Sequence, residues 1–235
     1  MNYFDTTILH FLNQGARKSW AFDQVVAFLS VNDLLKGGVM VSLLWWAWFR
    51  RDDRRSGDRQ HIIATLLSSL IAVAVARLMV LALPFRPRPI HEASLNLVLP
   101  YGVSDSALGK LSSFPSDHAV LFFSLAIGIF FVSRRAGLIA FLYVALFIAL
   151  PRIYLGLHYP TDILVGAVLG ITIGWMANRY LPQTKSIQSL TNFSYSKPEF
   201  FYPWFFLITY QIAELFQSSR DAVGGVFKLL KNMVA

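Results

Sequence analysis

The sequence predicts an all-α, polytopic bundle of five or six membrane-spanning helices, with interfacial helices at the N-terminus. Hydrophobic residues make up 55% of the 235 residues and charged residues only 14%, whereas a typical soluble domain has about 25% charged residues. The mean hydropathy is +0.51. Apolar runs recur along the chain, each followed by basic residues or proline. These observations favour one membrane domain over one or two soluble domains.

Five apolar segments are the predicted spans, and the first ends in tryptophans typical of the aromatic belt at a membrane interface. A further apolar and aromatic segment, 200–216, is either a sixth span or an interfacial helix. The last of the five carries Gly166, Gly170 and Gly174, a spacing that predicts a helix-packing face rather than a nucleotide loop. The five predicted spans are about 37–49, 62–83, 119–132, 138–150 and 163–177.

Polar breaks divide the chain into three predicted regions. Residues 1–35 are interrupted by polar side chains and are predicted to form helices that lie on the membrane. Residues 36–181 form the predicted membrane core. Residues 182–235 begin with a predicted polar linker over 182–199 and continue with apolar or amphipathic helices, the last of them at 223–234.

The composition also excludes several classes of function. The net charge of +8 is interpreted as a membrane signal rather than a nucleic-acid signal, because Lys and Arg collect in cytoplasmic loops and beside anionic lipid heads. The chain has no cysteine, which excludes a disulfide, a thiolate metal site and a cysteine nucleophile. Membrane lipids are therefore the expected surroundings, and no nucleic acid is expected as a partner.

The basic residues predict the topology. The basic segments 50–59, 134–135 and 179–185 fall on one side if the core crosses the membrane five times. The positive-inside rule places that side in the cytoplasm. The loop 84–117 and the turn 151–161 then lie together on the extracytoplasmic side.

Two short polar clusters carry the candidate chemistry. Residues 115–118 precede the third predicted span, and Arg152, His158 and Asp162 lie between the fourth and fifth spans. Ionisable groups at a membrane surface are costly and mark functional sites. The two clusters together suggest phosphate chemistry on a substrate that the membrane delivers.

The first cluster has the features of a phosphate site at a helix N-terminus. Pro115 suits the first turn of a helix, and the free N–H groups after it would bind phosphate. Ser116 adds a hydroxyl donor or acts only as a capping residue. His118 is placed to give a proton to a leaving oxygen. Asp117 binds substrate, steers water or has no role, and the sequence does not rank these alternatives.

The second cluster supplies a nucleophile. Asp162, four residues after His158, would hold one ring nitrogen of the histidine and leave the other free to attack phosphorus. The planar guanidinium of Arg152 suits the oxygens of a phosphoryl group. Arg86 and Arg88 lie just outside the second span, where they would clamp the same phosphate or anchor lipid headgroups.

The clusters resemble motifs of the type 2 phosphatidic acid phosphatase superfamily, which includes lipid phosphate phosphatases, bacterial undecaprenyl-pyrophosphate phosphatases and vanadium haloperoxidases. Pro115, Ser116 and His118 match its Pro-Ser-Gly-His motif, with Asp117 in place of Gly. The Pro-Ser-Asp-His form resembles the undecaprenyl-pyrophosphate branch.

The third motif of the family is Ser-Arg, five residues, His, three residues and Asp. Arg152, His158 and Asp162 match it at the right spacing, with Pro151 in place of Ser. By resemblance, His158 would form a phosphohistidine intermediate, and no metal or other cofactor is required.

The first motif, Lys, six residues and Arg-Pro, departs most from the family pattern. Either Arg86 or Arg88, each followed by proline, can serve as its arginine. No lysine stands seven residues before them, and Arg77 is the nearest basic residue. Arg77 would therefore replace the lysine from a shifted position, or the lysine role is absent.

These observations predict an integral membrane phosphatase. It would hydrolyse a lipid phosphate or diphosphate, with undecaprenyl pyrophosphate as the first guess, at the extracytoplasmic face of a bacterial-type inner membrane. One alternative is a phosphotransferase that moves phosphate from a lipid diphosphate to another lipid. Another is a non-enzymatic lipid binder or transporter.

Overall fold

The computed structural model describes residues 2–50, 57–103 and 111–219, and the regular structure in these ranges is entirely helical. The chain order gives α1 (Tyr3–Asn13), α2 (Trp20–Val31), α3 (Leu34–Phe49), α4 (Asp58–Ala82), α5 (Asp117–Val132), α6 (Arg134–Tyr154), α7 (Pro160–Tyr180), α8 (Lys185–Ser196) and α9 (Pro198–Ala213). Short 3₁₀ turns at Pro89–His91 and Ala93–Leu95 lie in the long loop between α4 and α5. α3 begins and α6 continues with π-helical turns, at Leu34–Gly38 and Val144–Ala149.

The prediction of an all-α membrane bundle is confirmed, with fewer full-length spans than predicted. Among the described residues, α4, α6 and α7 are each long and apolar enough to cross a membrane, and α2 with α3 makes a fourth candidate that bends by 67°. α5 is apolar but has only 16 residues. At ~1.5 Å per residue it extends about 24 Å, which is less than the ~30 Å hydrocarbon core of a bilayer.

α5 lies at the centre of the bundle, packed against α4, α6 and α7. The glycines of α7 face it, as their spacing predicts. A Cβ atom added at Gly170 would lie 2.2 Å from the carbonyl oxygen of Val120, and one at Gly166 would lie 2.8 Å from that of Ser116. The absence of side chains on this face lets the two backbones touch, and so holds the N-termini of α5 and α7 side by side.

The basic segments meet at one end of the bundle. Arg50, at the end of α3, lies 3.4 Å from the carbonyl oxygen of Val132 at the end of α5. Gly57, before α4, and Arg179, in the last turn of α7, line one cavity at the same end. Residues 51–56 of the basic segment 50–59 lie outside the described residues.

The opposite end of the bundle carries both polar clusters. The amide of Ser116, before α5, donates to the carbonyl of Asp162 in α7 at 3.3 Å. The amide of Ile90, in the long loop, donates to the carbonyl of Gly156 in the α6–α7 turn at 2.9 Å. The sequence prediction that the two clusters share one end is therefore confirmed.

The segment predicted as a polar linker, 182–199, is helical over most of its length. Thr184 caps α8, and Ile187 and Thr191 are buried on the face that packs against α4 and α9. A segment of polar composition can form a packed helix because one narrow face of small and apolar residues is enough for packing. The segment 223–234 lies outside the described residues.

The N-terminal region packs on the polar end of the bundle. α1 contacts α6 and α7 and buries Asp5 and Leu9. α2 also contacts α6, and the chain bends sharply before α3. The position of 1–35 on the membrane surface stays a prediction, as do the boundaries of the three regions.

Candidate active site

A cavity of about 650 Å³ opens at the polar end of the bundle. Six of the nine predicted site residues line it: Arg77, Arg88, Asp117, His118, Arg152 and His158. The other three, Asp162, Arg86 and Ser116, lie behind this layer.

The turn between α6 and α7 positions the predicted nucleophile. Arg152 lies in the last turn of α6, and its carbonyl accepts the amides of Leu157 at 2.9 Å and His158 at 3.2 Å. Gly156 has a φ of +67°, a conformation that L side chains rarely adopt. α7 then begins at Pro160, a residue that suits the first turn of a helix. The tight turn places the histidine directly beside the end of α6.

The imidazole of His158 is almost fully buried, and its two nitrogens have different partners. Nδ1 lies 2.8 Å from the carbonyl oxygen of Ser113, so it carries the proton and donates. Nε2 lies 3.2 Å from Nη1 of Arg88, which donates to it. The lone pair of Nε2 therefore faces the guanidinium of Arg88, which lines the cavity.

Asp162 supports His158 less directly than the sequence suggests. Its Oδ2 is 3.7 Å from Nδ1, an ion-pair distance, and accepts the amide of Tyr159 at 2.8 Å. Its Oδ1 accepts from Arg86 at 2.5 Å. Because both carboxylate oxygens have other donors, the carbonyl of Ser113 makes the short hydrogen bond that sets the tautomer.

The environment of His158 favours the neutral ring. Burial lowers the pKa of His158 from its usual value of 6.5, and the guanidinium groups of Arg88 and Arg152 lower it further against the opposing effect of Asp162. A neutral ring with a proton on Nδ1 has an electron pair on Nε2, which here accepts from Arg88. Phosphohistidine chemistry would require that a phosphoryl oxygen takes this donor, so that the electron pair can attack phosphorus.

His118 is oriented by its neighbour in sequence. Its Nδ1 lies 3.1 Å from Oδ1 of Asp117, and its Nε2 lies 2.6 Å from Nη2 of Arg152. The other carboxylate oxygen of Asp117 pairs with Arg77 at 2.5 Å. Asp117, which the sequence left without a ranked role, thus joins His118 to the cation on α4.

Ser116 acts as a cap in this structure. α5 begins at Asp117, and the Ser116 hydroxyl accepts the amide of Ala119 at 3.4 Å. Pro115 therefore precedes the cap rather than lying in the first turn. The buried Ser116 side chain is used within the helix terminus.

The two arginines of the first motif have different surroundings. Arg88 lines the cavity, and its Nη1 also donates to the carbonyl of Leu157 at 2.7 Å. Arg86 lies on the far side of Asp162, with its guanidinium carbon 4.0 Å from the ring centre of Tyr159. Arg88 thus faces the cavity and Arg86 contacts Asp162 behind it. Which of the two fills the Arg-Pro position of the first motif stays a prediction.

Two residues near the site were missed by sequence reasoning. Asp5, on α1, is fully buried and accepts from Arg86 at 2.8 Å and from the amide of Thr161 at 2.9 Å. Lys36, in the first turn of α3, is buried and lines the cavity. Each is a charge in an otherwise apolar stretch, which was the available signal.

In the ranges that the structure describes, no group of three or more His, Asp or Glu side chains is placed to hold a metal ion. The expectation of chemistry without a metal or other cofactor stays a prediction.

Residues 83–186 match the sequence model of the PAP2 superfamily. Undecaprenyl-diphosphatase BcrC of Bacillus subtilis is 24% identical over 182 residues, which cover 77% of this chain and 84% of that protein. Lipid A 1-diphosphate synthase of Escherichia coli is 31% identical over 179 residues, which cover 72% of this chain and 73% of that protein. The chain belongs to the PAP2 superfamily. The crystal structure of Aquifex aeolicus LpxE is 25% identical, with a TM-score of 0.48, and covers 74% of this chain and 94% of that one.

The family predicted from the motifs is thus confirmed. The chain is a multi-pass membrane protein and an enzyme of the PAP2 lipid phosphatase family. The matched segment contains Arg88, His118, Arg152 and His158 but excludes the N-terminal helices that carry Asp5 and Lys36.

Proposed function

We propose that this PAP2 enzyme hydrolyses a lipid phosphate or diphosphate, with an isoprenoid diphosphate such as undecaprenyl pyrophosphate as the first candidate, through a phosphohistidine at His158. One observation supports this most strongly. The Nε2 atoms of His158 and His118 each lie beside a guanidinium, of Arg88 and Arg152 respectively, and all four side chains line one cavity.

In the first step the electron pair of His158 Nε2 forms a bond to the terminal phosphorus. The bond from that phosphorus to the bridging oxygen breaks, and its electron pair stays on the oxygen. His118 gives this oxygen a proton, so the lipid leaves as a monophosphate or, from a monophosphate substrate, as an alcohol.

Substrate binding would prepare His118 for this role. In the structure the Nε2 atom of His118 accepts from Arg152 and is therefore unprotonated. A phosphoryl group placed between them would take the guanidinium donors and put an anion beside the ring. The imidazolium form, held at Nδ1 by Asp117, is then favoured.

In the second step water attacks the phosphohistidine. The oxygen of water bonds to phosphorus, the phosphorus–nitrogen bond breaks, and His118 takes the proton that water loses. The sum is lipid diphosphate and water going to lipid monophosphate and orthophosphate. By microscopic reversibility, the group that gives a proton in the first step, His118, takes a proton in the second.

The electrostatics favour an anion at this position. Among the described residues, Arg88 and Arg152 contact backbone carbonyls and imidazole rings rather than carboxylates. Arg152 is 5% exposed, and its Nε is buried with no hydrogen-bond partner in the described ranges. Asp117 acts on both guanidiniums without a hydrogen bond to either in the described ranges. A phosphoryl group between them would therefore gain charge-assisted hydrogen bonds that no carboxylate makes there.

We further propose that the site faces the extracytoplasmic side of a bacterial-type inner membrane. The support is the collection of basic segments at the opposite end of the bundle. Because the chain has no cysteine, a single Ser94→Cys change would label this end alone. Labelling by an impermeant maleimide in intact spheroplasts is expected, and labelling only after the membrane is opened would reverse the assignment.

A lipid phosphotransferase is the second candidate function. Its support is the 31% identity to a protein named lipid A 1-diphosphate synthase, over 73% of that protein. The first step would be the same, and a phosphate of an acceptor lipid would replace water in the second. Adding acceptor lipid to the reaction separates the two, since a phosphorylated lipid then appears in place of orthophosphate.

The direct test uses the detergent-purified chain with EDTA present. We expect orthophosphate release from undecaprenyl pyrophosphate, reduced at least about 10⁴-fold by His158→Ala because the nucleophile is lost. An exposed histidine on α1, changed by His10→Ala, is the matched control. With terminally labelled substrate and a rapid alkaline quench, the wild type should retain label on the protein and His158→Ala should not. Release that survives His158→Ala contradicts the mechanism.

A further inference from the structure

The cavity extends well beyond the catalytic residues. Its volume of about 650 Å³ is in the range that holds a whole small-molecule ligand. Part of its wall comes from the end of α2 and the start of α3, with Ser30, Asp33 and Lys36. This wall comes from outside the segment that matches the PAP2 model.

Lys36 is the cation of this outer wall. It is 8% exposed, and its ammonium pairs with Asp33 at 3.0 Å. The Asp33 side chain is half exposed, and one of its carboxylate oxygens makes this ion pair. An ammonium group has three donors, so this bond leaves donors for a further anion.

The cations line different parts of the cavity. Arg77 and Arg88 line the space next to His158. Lys36, His118 and Arg152 do not line that space but line the wider part of the cavity. Lys36 therefore shares a part of the cavity with the acid that serves the leaving oxygen.

We propose that Lys36 binds the phosphate of the leaving group, so that the site is built for a lipid diphosphate rather than a lipid monophosphate. This inference rests on the proposed function above. The two phosphorus atoms of a diphosphate share the bridging oxygen that His118 protonates. When the terminal phosphoryl group is at His158, the second phosphate would extend into the part of the cavity that Lys36 lines together with His118 and Arg152.

The role of Lys36 is specific to diphosphates for a physical reason. Negative charge grows on the leaving group as the bridging bond breaks, and a fixed cation in a buried site stabilises that charge. The leaving group of a lipid monophosphate is an alcohol, which offers no second anion. Lys36 therefore contributes to the diphosphate reaction alone.

The test compares farnesyl diphosphate with farnesyl phosphate, which share one tail. Lys36→Gln is expected to lower kcat/KM for the diphosphate about 10²-fold, as for loss of one transition-state donor, and to change kcat/KM for the monophosphate little. Lys185→Gln, on α8, is the matched control. Inhibition by orthovanadate, which occupies the position of the transferred phosphoryl group, should be unchanged in Lys36→Gln.

The outcomes separate this inference from the proposed function. Equal losses on both substrates with weaker vanadate inhibition would assign Lys36 to the transferred phosphoryl group and overturn the inference. An unchanged diphosphate rate in Lys36→Gln, or a wild-type preference for the monophosphate, overturns it as well. No turnover of either substrate by the wild type, with or without acceptor lipid, rejects the proposed function itself.

A measurement on the unmodified protein covers the case in which Lys36→Gln does not fold. Inorganic pyrophosphate should then inhibit the wild type more strongly than orthophosphate, because it reaches both the arginines and Lys36. Equal inhibition by the two anions contradicts the inference.

Discussion

The clearest test of the tertiary arrangement is the neutralisation of Asp5 on α1. Its Oδ2 accepts from Arg86 at 2.8 Å and from the Thr161 hydroxyl at 2.7 Å, and its Oδ1 accepts the Thr161 amide at 2.9 Å. An amide in Asp5→Asn has one acceptor oxygen and one donor nitrogen. The nitrogen must therefore face a donor, whichever way the side chain is turned.

The expected cost follows from these contacts. Asp5 is fully buried, and removing one partner of a buried ion pair costs about 3–5 kcal/mol because the other charge is left uncompensated. Arg86 keeps its bond to Asp162, so we expect Asp5→Asn to lose about 3 kcal/mol. Arg86 and Asp162 then shift together. A displacement of ~1 Å in the adjoining α6–α7 turn, which carries His158, is expected to lower kcat by about 10²-fold.

Thermal unfolding in detergent and steady-state phosphate release measure the two effects. Glu199→Gln, at an exposed acidic position of α9, is the matched control for loss of charge. Asp5→Glu, which retains the charge, should recover part of the stability. If Asp5→Asn unfolds at the wild-type temperature and keeps its kcat, α1 does not support the site and the reasoning is refuted.

Two further predictions concern protonation and packing. Because burial lowers the pKa of His158, phosphohistidine formation in single-turnover experiments should stay constant as pH falls from 7.5 to 6.5 and decline only below 6.5. The free energy of unfolding should also fall as pH falls, because the unfolded chain binds the proton at higher pH than the folded protein. A decline in the rate of phosphohistidine formation centred above pH 6.5 would contradict a lowered pKa of His158. Gly170→Ala should destabilise the protein by about 1–3 kcal/mol and lower kcat, because its Cβ would meet the carbonyl of Val120 at 2.2 Å. Gly15→Ala, whose nearest contact is 3.4 Å, should leave the thermal midpoint unchanged, and equal midpoints for the two variants would rule out close backbone packing of α5 and α7.

Local patterns in the sequence predicted the elements that position the site. The start of α7 at Pro160, which leaves Asp162 in the first turn, agrees with the conformational preferences of a few neighbouring residues. The packing face at Gly166 and Gly170 also follows from spacing along one helix. Such features depend on short stretches of chain, so they can be read without knowing what packs against them.

The helix limits were predicted less well where tertiary packing decides them. α8 forms within a segment of polar composition because it packs on α4 and α9. α5 is too short to satisfy a simple span criterion, although it is the central helix of the bundle. In both cases the neighbours supply the stability that composition alone does not predict.

By itself the sequence determined the class of the protein, its two polar clusters and their common end of the bundle. It also predicted His158 and His118 as the two histidines of one site. The tertiary structure decided which arginine enters the cavity, that the Ser113 carbonyl rather than Asp162 holds Nδ1 of His158 closely, and that the N-terminal region contributes Asp5 and Lys36. The physical reason is separation along the chain. Motif spacing constrains residues within a turn or two of each other, whereas Asp5 meets Thr161 across 156 residues, and only the packing of helices brings such groups together.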